Sequence, residues 1–219
     1  MALRATVGLG LDLSFRLRFS GLQNVPRRGG AILAYNHISV LDPVVVAMGA
    51  TKRGRAVRFL GLSELFNQRV LGWGLRRARQ IPLRRGLGDR DALNTISEIV
   101  RGGSLAGISP EGMVGHGEAL QPGQKGVARI ALAAGASVIP VGIWGTQLRW
   151  PKDGLKWSPP LRPTVALHYA PPVMPKGDPA NRSDVRAMTD RIMAVLEDAV
   201  ASARVHSEGR SPTSEARAV

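Results

Sequence analysis

The sequence predicts a single α/β domain, built on a mixed, largely parallel central sheet that is flanked by helices. Short apolar segments typical of strands alternate with segments of helical periodicity, which is the order that parallel sheets require. The chain of 219 residues is within the range of one domain. Hydrophobic residues make up 44% of it, which is enough for one sizeable core.

The first half of the chain contains four predicted strands and two helical segments. The alternation of apolar and basic residues in "SFRLRFSGL" is typical of an edge strand. A turn at 24–30 precedes the buried strand "AILAYN", and a proline opens the helix "PVVVAMG". We then expect the strand "AVRFLGL", a helical region from Ser63 to near Arg79, and the short strand "QIPLRRG".

The second half continues the alternation. A helix from Asp89 to Val100 is stopped by a Gly-Gly pair, and the strand "SLAGIS" leads into the glycine-rich loop "PEGMVGHGEALQPGQKG". The segments that follow are a helix, "VARIALAAG", and two strands, "ASVIPVGIWG" and "RPTVALHYAPP". An amphipathic helix from Ser183 to Ala203 closes the domain. Residues 207–219 are polar and are predicted to be a disordered tail.

The domain is assigned to residues 15–206. Before it, in residues 1–14, Leu3, Val7 and Leu11 recur at helical spacing, so this segment is a candidate amphipathic, membrane-contacting helix. The longest uncharged stretch, from Ile130 to Leu148, contains three glycines and a proline. It is therefore interpreted as a helix end, a turn and a strand, and no transmembrane helix is expected.

The charge of the chain indicates what it binds. The formal net charge is +14 and the isoelectric point is near 11.5, so the surface attracts polyanions. Aromatic residues are only 5% of the chain, which leaves little material for stacking on bases. An anionic membrane surface or a phosphorylated ligand is therefore the expected partner, and nucleic acid is not.

Cysteine and histidine usage excludes several kinds of site. The chain has no cysteine, so disulfides, thiolate nucleophiles and cysteine metal sites are excluded. The four histidines, His37, His116, His168 and His206, show no spacing that is typical of metal ligands. No metal site is expected.

The segment "YNHISVLDP" places a histidine and an aspartate five positions apart, at the end of an apolar run. Asp42 precedes Pro43, which makes it a candidate N-cap and predicts a bend between strand and helix. The bend would bring the carboxylate to the Nδ1–H group of His37 and leave Nε2 as a base. Alternatively, Asp42 only caps its helix and His37 is a loop histidine. The spacing alone leaves both interpretations open.

Four segments occur in order along the chain: "NHISVLD", "RQIPLRRG", "SPEG" and "VIPVGIWGT". Together they resemble the ordered motifs of the glycerophospholipid acyltransferases, whose best-known members are the 1-acylglycerol-3-phosphate acyltransferases. The resemblance covers roughly Phe15 to Pro172. Each segment alone has low specificity, and four in the right order form a strong pattern.

The resemblance implies transfer of a fatty acyl group from a thioester, acyl-CoA or acyl carrier protein, to the hydroxyl of a lysophospholipid such as 1-acylglycerol-3-phosphate. It implies that His37 is the general base and that Asp42 orients it. No cofactor is implied beyond the acyl donor. A peripheral position on the cytoplasmic face of the membrane agrees with the basic surface.

The same resemblance assigns five more residues to substrate binding: Arg85, Glu111, Gly112, Lys125 and Pro140. Arg84, next to Arg85, is expected to bind substrate as well, although it departs from the family pattern. The resemblance implies that Arg85 grips the acceptor phosphate, that the glutamate helps to hold the acceptor, and that the glycine lets the backbone approach closely. The lysine would contact substrate, and the proline would line the acyl or donor site. From the residues alone these positions could equally be solvated charges, a turn and a core strand.

The chain departs from the family pattern at several positions. Met113 and Val114 stand where the family usually has a hydroxyl residue and an arginine, and Leu62 stands where a lysine is frequent. Arg79 and Arg84 replace a frequent glycine and aspartate. These departures leave two alternatives: an acyltransferase for a non-phosphate lipid acceptor, such as an amino-acid lipid or glycolipid, and a non-catalytic binder of anionic membranes or nucleic acid.

Overall fold

Seven strands form one sheet within the residues that the structure, a computed structural model, describes: 14–83, 90–117, 119–156, 160 and 162–209. The strands are β1 (Arg16–Ser20), β2 (Ala31–Tyr35), β3 (Val57–Leu62), β4 (Ile81–Leu83), β5 (Leu105–Ile108), β6 (Val138–Trp144) and β7 (Thr164–Tyr169). Their order is β1-β7-β6-β2-β5-β3-β4. All neighbours are parallel except β6 and β7, which confirms the mixed, largely parallel sheet.

Six helices pack around this sheet in the described residues: α1 (Asp42–Lys52), α2 (Ser63–Phe66), α3 (Arg69–Arg77), α4 (Arg90–Arg101), α5 (Gly126–Ala134) and α6 (Arg182–Ser207). The helical region expected from Ser63 is two helices, because the backbone of Gln68 between them is extended, with φ −75° and ψ 133°. Gly72 of α3 packs directly on Phe66. A Cβ at Gly72 would lie 2.1 Å from the Phe66 carbonyl oxygen. Helix α6 includes Ser207, the first residue of the predicted tail, and 210–219 lie outside the described residues. So does the predicted N-terminal segment, apart from Ser14.

The two faces of the sheet carry separate cores because side chains alternate along each strand. Ile139, Val141 and Ile143 of β6 pack with α1 on one face. Val138, from the same strand, packs with α4, α5 and α6 on the other. Helices on both faces of a mostly parallel sheet are the α/β architecture that the sequence predicts.

The parallel strands β2, β3, β5 and β6 all end at one edge of the sheet, here called the carboxyl edge. In open α/β sheets this edge is where ligands bind. The segment "NHISVLD" follows β2, "SPEG" follows β5, and the last two residues of "VIPVGIWGT" follow β6, so three of the four motifs meet there. The edge is the place to look for a functional site.

Candidate active site

The end of β2 is held in place by Asn36, which is buried. Its side-chain nitrogen donates to the Ile143 carbonyl at 3.0 Å, and the Ile143 N–H donates to its side-chain oxygen at 2.7 Å. The pair joins β2 to β6 just before the chain leaves the sheet. His37, the next residue, therefore starts from a fixed position.

The predicted contact between His37 and Asp42 is present. The chain turns after His37 and enters α1 at Asp42, which brings the two side chains together. His37 Nδ1–H donates to Asp42 Oδ2 at 3.0 Å. The same oxygen accepts the backbone N–H groups of Ile38 and Ser39, each at 2.7 Å. Asp42 itself is 0% exposed.

The sequence predicted that Asp42 is the N-cap of α1, and this prediction is wrong. Leu41 is the N-cap, Asp42 is the first helical residue, and no side chain caps this end. The carboxylate turns back toward the strand and satisfies the amides of the bend instead of those of the helix. The same contacts that hold the bend also hold the histidine.

Thr146, which the sequence analysis did not assign to the site, completes the surroundings of Asp42. Its Oγ1–H group donates to Asp42 Oδ1 at 2.6 Å, and both side chains are 0% exposed. Gly145 allows this placement, because its φ is 103° and a Cβ there would lie 2.2 Å from the Thr164 carbonyl oxygen. The segment "WGT" was visible in the sequence, but its partner lies 104 residues earlier in the chain.

The hydrogen bonds determine which nitrogen of His37 has a free lone pair. Asp42 accepts two amide N–H groups and a hydroxyl, so its carboxylate oxygens act as acceptors and the imidazole nitrogen that faces them is the donor. Nδ1 of His37 therefore carries the proton, and Nε2 has a free lone pair. Among the described residues none bonds to Nε2, and the His37 side chain is 19% exposed. A substrate hydroxyl can reach this nitrogen from the carboxyl edge.

Tyr35 packs edge-on against the imidazole, with the ring centroids 5.7 Å apart. Phe59 supports the other side of Tyr35 in the same geometry at 5.9 Å. Burial, with a smaller contribution from the nearby Asp42 carboxylate, raises the pKa of Tyr35. The phenol thus stays neutral and gives His37 an apolar wall that restricts its ring orientation.

Glu111 accepts a hydrogen bond from the backbone of His37, and only 3% of its surface is exposed. Its side chain is buried, and its two oxygens accept the N–H groups of His37 and Gln121, each at 2.8 Å. The Gly115 N–H donates to the His37 carbonyl at 2.7 Å, which ties the same loop to the histidine a second time. Burial outweighs the two amide contacts and raises the pKa of Glu111. Its contacts hold the backbone of His37, and the contact with the acceptor that the resemblance implies stays a prediction.

Gly112 and Lys125 lie at the two ends of the loop between β5 and α5. Gly112 is exposed, and its φ of 74° explains the glycine. The close approach expected from the sequence is not the reason, because a Cβ there would meet its nearest neighbour, on Gln124, at an ordinary 3.5 Å. Lys125 is exposed at the start of α5. Both are available to a ligand, and neither contacts the His37 cluster in the described residues.

Pro140 is a core residue in β6, between β7 and β2, and it does not line an open site. Its carbonyl accepts the Ala170 N–H at 2.9 Å, so its nitrogen faces β7 as well. The pairing with β7 slips by one residue at this point, from Val141 opposite Tyr169 to Val138 opposite Val173. A proline is tolerated in this central strand because the irregular pairing needs no N–H there.

Arg84 and Arg85 lie outside the described residues, so their assignment stays a prediction. The departures from the motif are partly visible: Met113 is exposed and Val114 is half-buried, both beside Gly112. Leu62 ends β3 at the carboxyl edge. In the part of the chain that the structure describes, no group of three acidic or histidine side chains could hold a metal ion.

Within the described ranges, no helix combines the length and apolar character needed to cross a bilayer.

Comparisons with known proteins agree with this geometry. The sequence profile of the family described as Acyltransferase matches residues 16–144. A chloroplastic 1-acyl-sn-glycerol-3-phosphate acyltransferase of Brassica napus is 27% identical over 60% of this chain and 38% of its own length. A lyso-ornithine lipid O-acyltransferase of Pseudomonas aeruginosa is 33% identical over 60% of this chain and 48% of its own length.

A solved structure is similar over a longer range. The 1-acyl-sn-glycerophosphate (LPA) acyltransferase PlsC of Thermotoga maritima superposes with a TM-score of 0.69 at 26% identity, covering 87% of this chain and 73% of that one. The matches to the two curated relatives described above cover 60% of this chain. The chain spans less than half the length of each of these relatives.

Proposed function

The chain belongs to the acyltransferase family, and on that premise we propose that it moves a fatty acyl group from a thioester to the hydroxyl of a lysophospholipid, 1-acylglycerol-3-phosphate in the first instance. The donor is acyl-CoA or acyl carrier protein. The observation that carries the proposal is the His37–Asp42 pair, with Nε2 open at the carboxyl edge. The basic surface supports action at the anionic cytoplasmic face of a membrane.

His37 Nε2 takes the proton from the acceptor hydroxyl while the hydroxyl oxygen attacks the thioester carbonyl carbon. A tetrahedral intermediate forms, the carbon–sulfur bond breaks, and the departing thiolate receives the proton from the imidazolium. The ester and a free thiol are the products. No covalent acyl-enzyme is needed, which agrees with the absence of cysteine.

Asp42 serves this cycle by holding the reactive tautomer and by stabilising the positive charge that His37 acquires. Thr146 and the two bend amides hold Asp42, and Glu111 holds the backbone of His37. Residues behind a catalytic group that restrict its position in this way lower the cost of reaching the reactive geometry.

The acceptor phosphate is assigned to Arg84 and Arg85. Guanidinium groups bind phosphate oxygens in a bidentate manner, and both arginines follow β4, whose pairing with β3 directs it toward the carboxyl edge. The similarity to the Brassica napus enzyme supports a phosphate-bearing acceptor.

A second candidate has an observation of its own in its favour. Met113 and Val114 put apolar side chains where the family usually has a hydroxyl residue and an arginine. The Pseudomonas aeruginosa relative, which is 33% identical, is named for a lyso-ornithine lipid. An acceptor without a glycerol phosphate, an amino-acid lipid of this kind, is therefore the alternative substrate class.

The direct test supplies acyl-CoA and lysophosphatidic acid to the wild type and to His37→Ala, and measures ester and free thiol together. Wild type should form both in equal amounts, and His37→Ala should lose the reaction. His206→Ala, on α6, is the control for removal of a histidine and should keep it. Equal activity in wild type and His37→Ala would remove His37 as the base.

The acceptor class is decided by Arg85→Ala assayed on lysophosphatidic acid and on lyso-ornithine lipid. A loss confined to the phosphate-bearing acceptor supports the first substrate class. Activity of the wild type on lyso-ornithine lipid alone, unchanged in Arg85→Ala, supports the second. Binding of anionic vesicles without thiol release from any acceptor would leave the non-catalytic binder.

A further inference from the structure

Most exposed apolar side chains of this protein lie in the connections that leave the carboxyl edge of the sheet. Among the described residues, nine large apolar side chains are exposed. Eight of them follow the ends of β2, β3, β5 or β6: Val40, Val70, Leu71, Trp73, Met113, Leu148, Trp150 and Leu155. The ninth, Met174, follows β7, which runs in the opposite direction. Single exposed apolar residues are ordinary, but their concentration on one edge indicates a contact surface.

The most exposed member of this set, Val70, lies on α3. The outward face of this helix follows from its period of about 100° per residue. Gly72 points inward onto Phe66, which directs Val70, Trp73 and Arg77 outward. Val70 is 84% exposed and Trp73 is 59% exposed. An aliphatic residue beside a tryptophan on the outer face of a helix is typical of the interface between lipid head groups and acyl chains.

The charged side chains from Arg69 to Arg79 are all positive, and the one acidic residue of the α2–α3 hairpin, the exposed Glu64, lies on α2. Arg69, Arg77 and Arg79 are exposed, and the sequence has no acidic residue between Arg69 and Arg79. Such a helix is attracted to an anionic lipid surface, where long basic side chains reach phosphate groups while neighbouring apolar ones enter the bilayer. An acidic protein partner could also bind these arginines. Such a partner would not explain why exposed apolar side chains occur in four separate connections that leave the same edge of the sheet.

Arg79 is held in a backbone conformation that favours glycine. Its φ is 54°, and it is the only described residue other than glycine with a positive φ. The Arg79 N–H donates to the Arg76 carbonyl and the Gln80 N–H to the Leu75 carbonyl, each at 2.9 Å. These two bonds form the helix-ending motif in which the left-handed residue is usually glycine. The chain therefore keeps a guanidinium at this exposed position despite the backbone strain.

We infer that the α2–α3 hairpin docks the carboxyl edge on an anionic lipid bilayer, with Val70 and Trp73 in the head-group region and Arg69, Arg77 and Arg79 on lipid phosphates. The hairpin follows β3, two strands from β2, so it lies roughly 10 Å from the strand that carries His37. A bilayer in this place meets the side of the sheet on which Nε2 opens. The inference rests on the proposed function for one point only, that the docked surface supplies the acceptor.

The test measures co-sedimentation with vesicles of phosphatidylcholine mixed with phosphatidylglycerol in equal parts. The double variant Val70→Ser, Trp73→Ser should bind about tenfold more weakly than the wild type. Met174→Ser is the matched control, since Met174 is 62% exposed at the opposite edge, and it should bind like the wild type. Undiminished binding by the double variant, or an equal loss in Met174→Ser, would overturn the inference.

Two further measurements separate insertion and charge from a folding defect. Tryptophan fluorescence of the wild type should be quenched by lipids brominated near the head group, and the quenching should decrease in Trp73→Phe, which keeps an apolar ring. Arg69→Ala with Arg77→Ala should weaken binding to the mixed vesicles and not to phosphatidylcholine alone. Arg186→Ala, an exposed arginine of α6, is its control. Unchanged quenching in Trp73→Phe would contradict insertion of α3.

Activity distinguishes this inference from the proposed function. With an acceptor dispersed as monomers, the Val70→Ser, Trp73→Ser variant should keep the wild-type rate. With the acceptor embedded in vesicles, the variant should fall about tenfold. If the wild type transfers no acyl group to the acceptor, either as monomers or in vesicles, the proposed function is contradicted and the docking result is unaffected. If the wild type transfers acyl groups and the Val70→Ser, Trp73→Ser variant binds vesicles like the wild type, the docking inference is wrong and the proposed function is unaffected.

Discussion

Thr146 Oγ1 lies 2.6 Å from Asp42 Oδ1, and neither side chain is exposed to solvent. This hydrogen bond occupies the carboxylate oxygen that faces away from the histidine. The other oxygen is left to the imidazole and to the two amides of the bend. A residue that follows β6 therefore helps to orient, through Asp42, the histidine that follows β2.

Thr146→Val should lower both stability and activity, because valine keeps the shape and removes the donor. A buried carboxylate oxygen without its donor costs about 2 kcal/mol of unfolding free energy. Urea unfolding measures this loss, and initial rates measure the drop in kcat. Thr146→Ser keeps the hydroxyl and should recover most of both. If the serine variant were as impaired as the valine variant, the hydrogen bond would not be the cause.

Asp42→Asn should keep the fold and lose the reaction. The asparagine side chain cannot accept from every donor around Asp42, and its NH2 group can turn the histidine into the other tautomer. The expected fall in kcat is about 10³- to 10⁴-fold. Far-UV circular dichroism checks the fold, and Asp190→Asn on the exposed face of α6 is the control for charge. A rate close to that of the wild type would separate Asp42 from catalysis.

Glu111→Gln should change how stability depends on pH. Burial raises the pKa of Glu111 above its ordinary 4.5, so the folded state binds this proton more tightly than the unfolded state. The Glu111 contribution to the unfolding free energy therefore falls as pH rises from about 4.5 through the raised pKa. Glutamine has no such titration, although its NH2 group faces a backbone N–H and adds a constant cost.

The measurement is urea unfolding of both proteins at steps between about pH 4 and about pH 8. The wild type should lose stability relative to Glu111→Gln as pH rises through that window. Glu98→Gln, at an exposed position of α4, should show a flat difference from the wild type. A flat difference for Glu111→Gln as well would contradict the burial argument.

Glycine substitutions at Arg79 and Arg77 should shift stability in opposite directions. Arg79 has a φ of 54°, and the left-handed conformation costs a non-glycine residue about 1–2 kcal/mol, so Arg79→Gly should be stabilising by about 1 kcal/mol. Arg77 lies in α3, where glycine costs about 1 kcal/mol. Each variant removes one cation and should weaken binding to anionic vesicles. Urea unfolding gives the sign, and shifts of the same sign would contradict the assigned strain.

The strands were predictable because each is a continuous or alternating apolar segment bounded by turn residues. The predicted segments "AILAYN", "SLAGIS" and "ASVIPVGIWG" contain β2, β5 and β6, and the bounds differ by a few residues. The helical region from Ser63 was predicted without the position of its break. The break is at Gln68, whose backbone is extended, and the contact between Gly72 and Phe66 depends on how the chain folds back after α2.

The site was predictable to the extent that its partners are close in sequence. His37 and Asp42 were identified as a possible pair, and the bend between them follows from the proline after Asp42. The N-cap assignment of Asp42 was wrong because the amides of the bend compete for the same carboxylate. The buried position of Pro140 depends on the pairing of β6 with β7, which a single strand does not reveal.

The sequence by itself determined the α/β class, the position of the histidine after a buried strand and the basic character of the surface. These are local or summed properties, which each segment carries alone. Only the tertiary structure decided that Thr146 and Glu111 support the histidine and that the exposed apolar side chains share one edge. Those relationships join residues dozens of positions apart, and they exist only once the parallel strands lie side by side with their ends together.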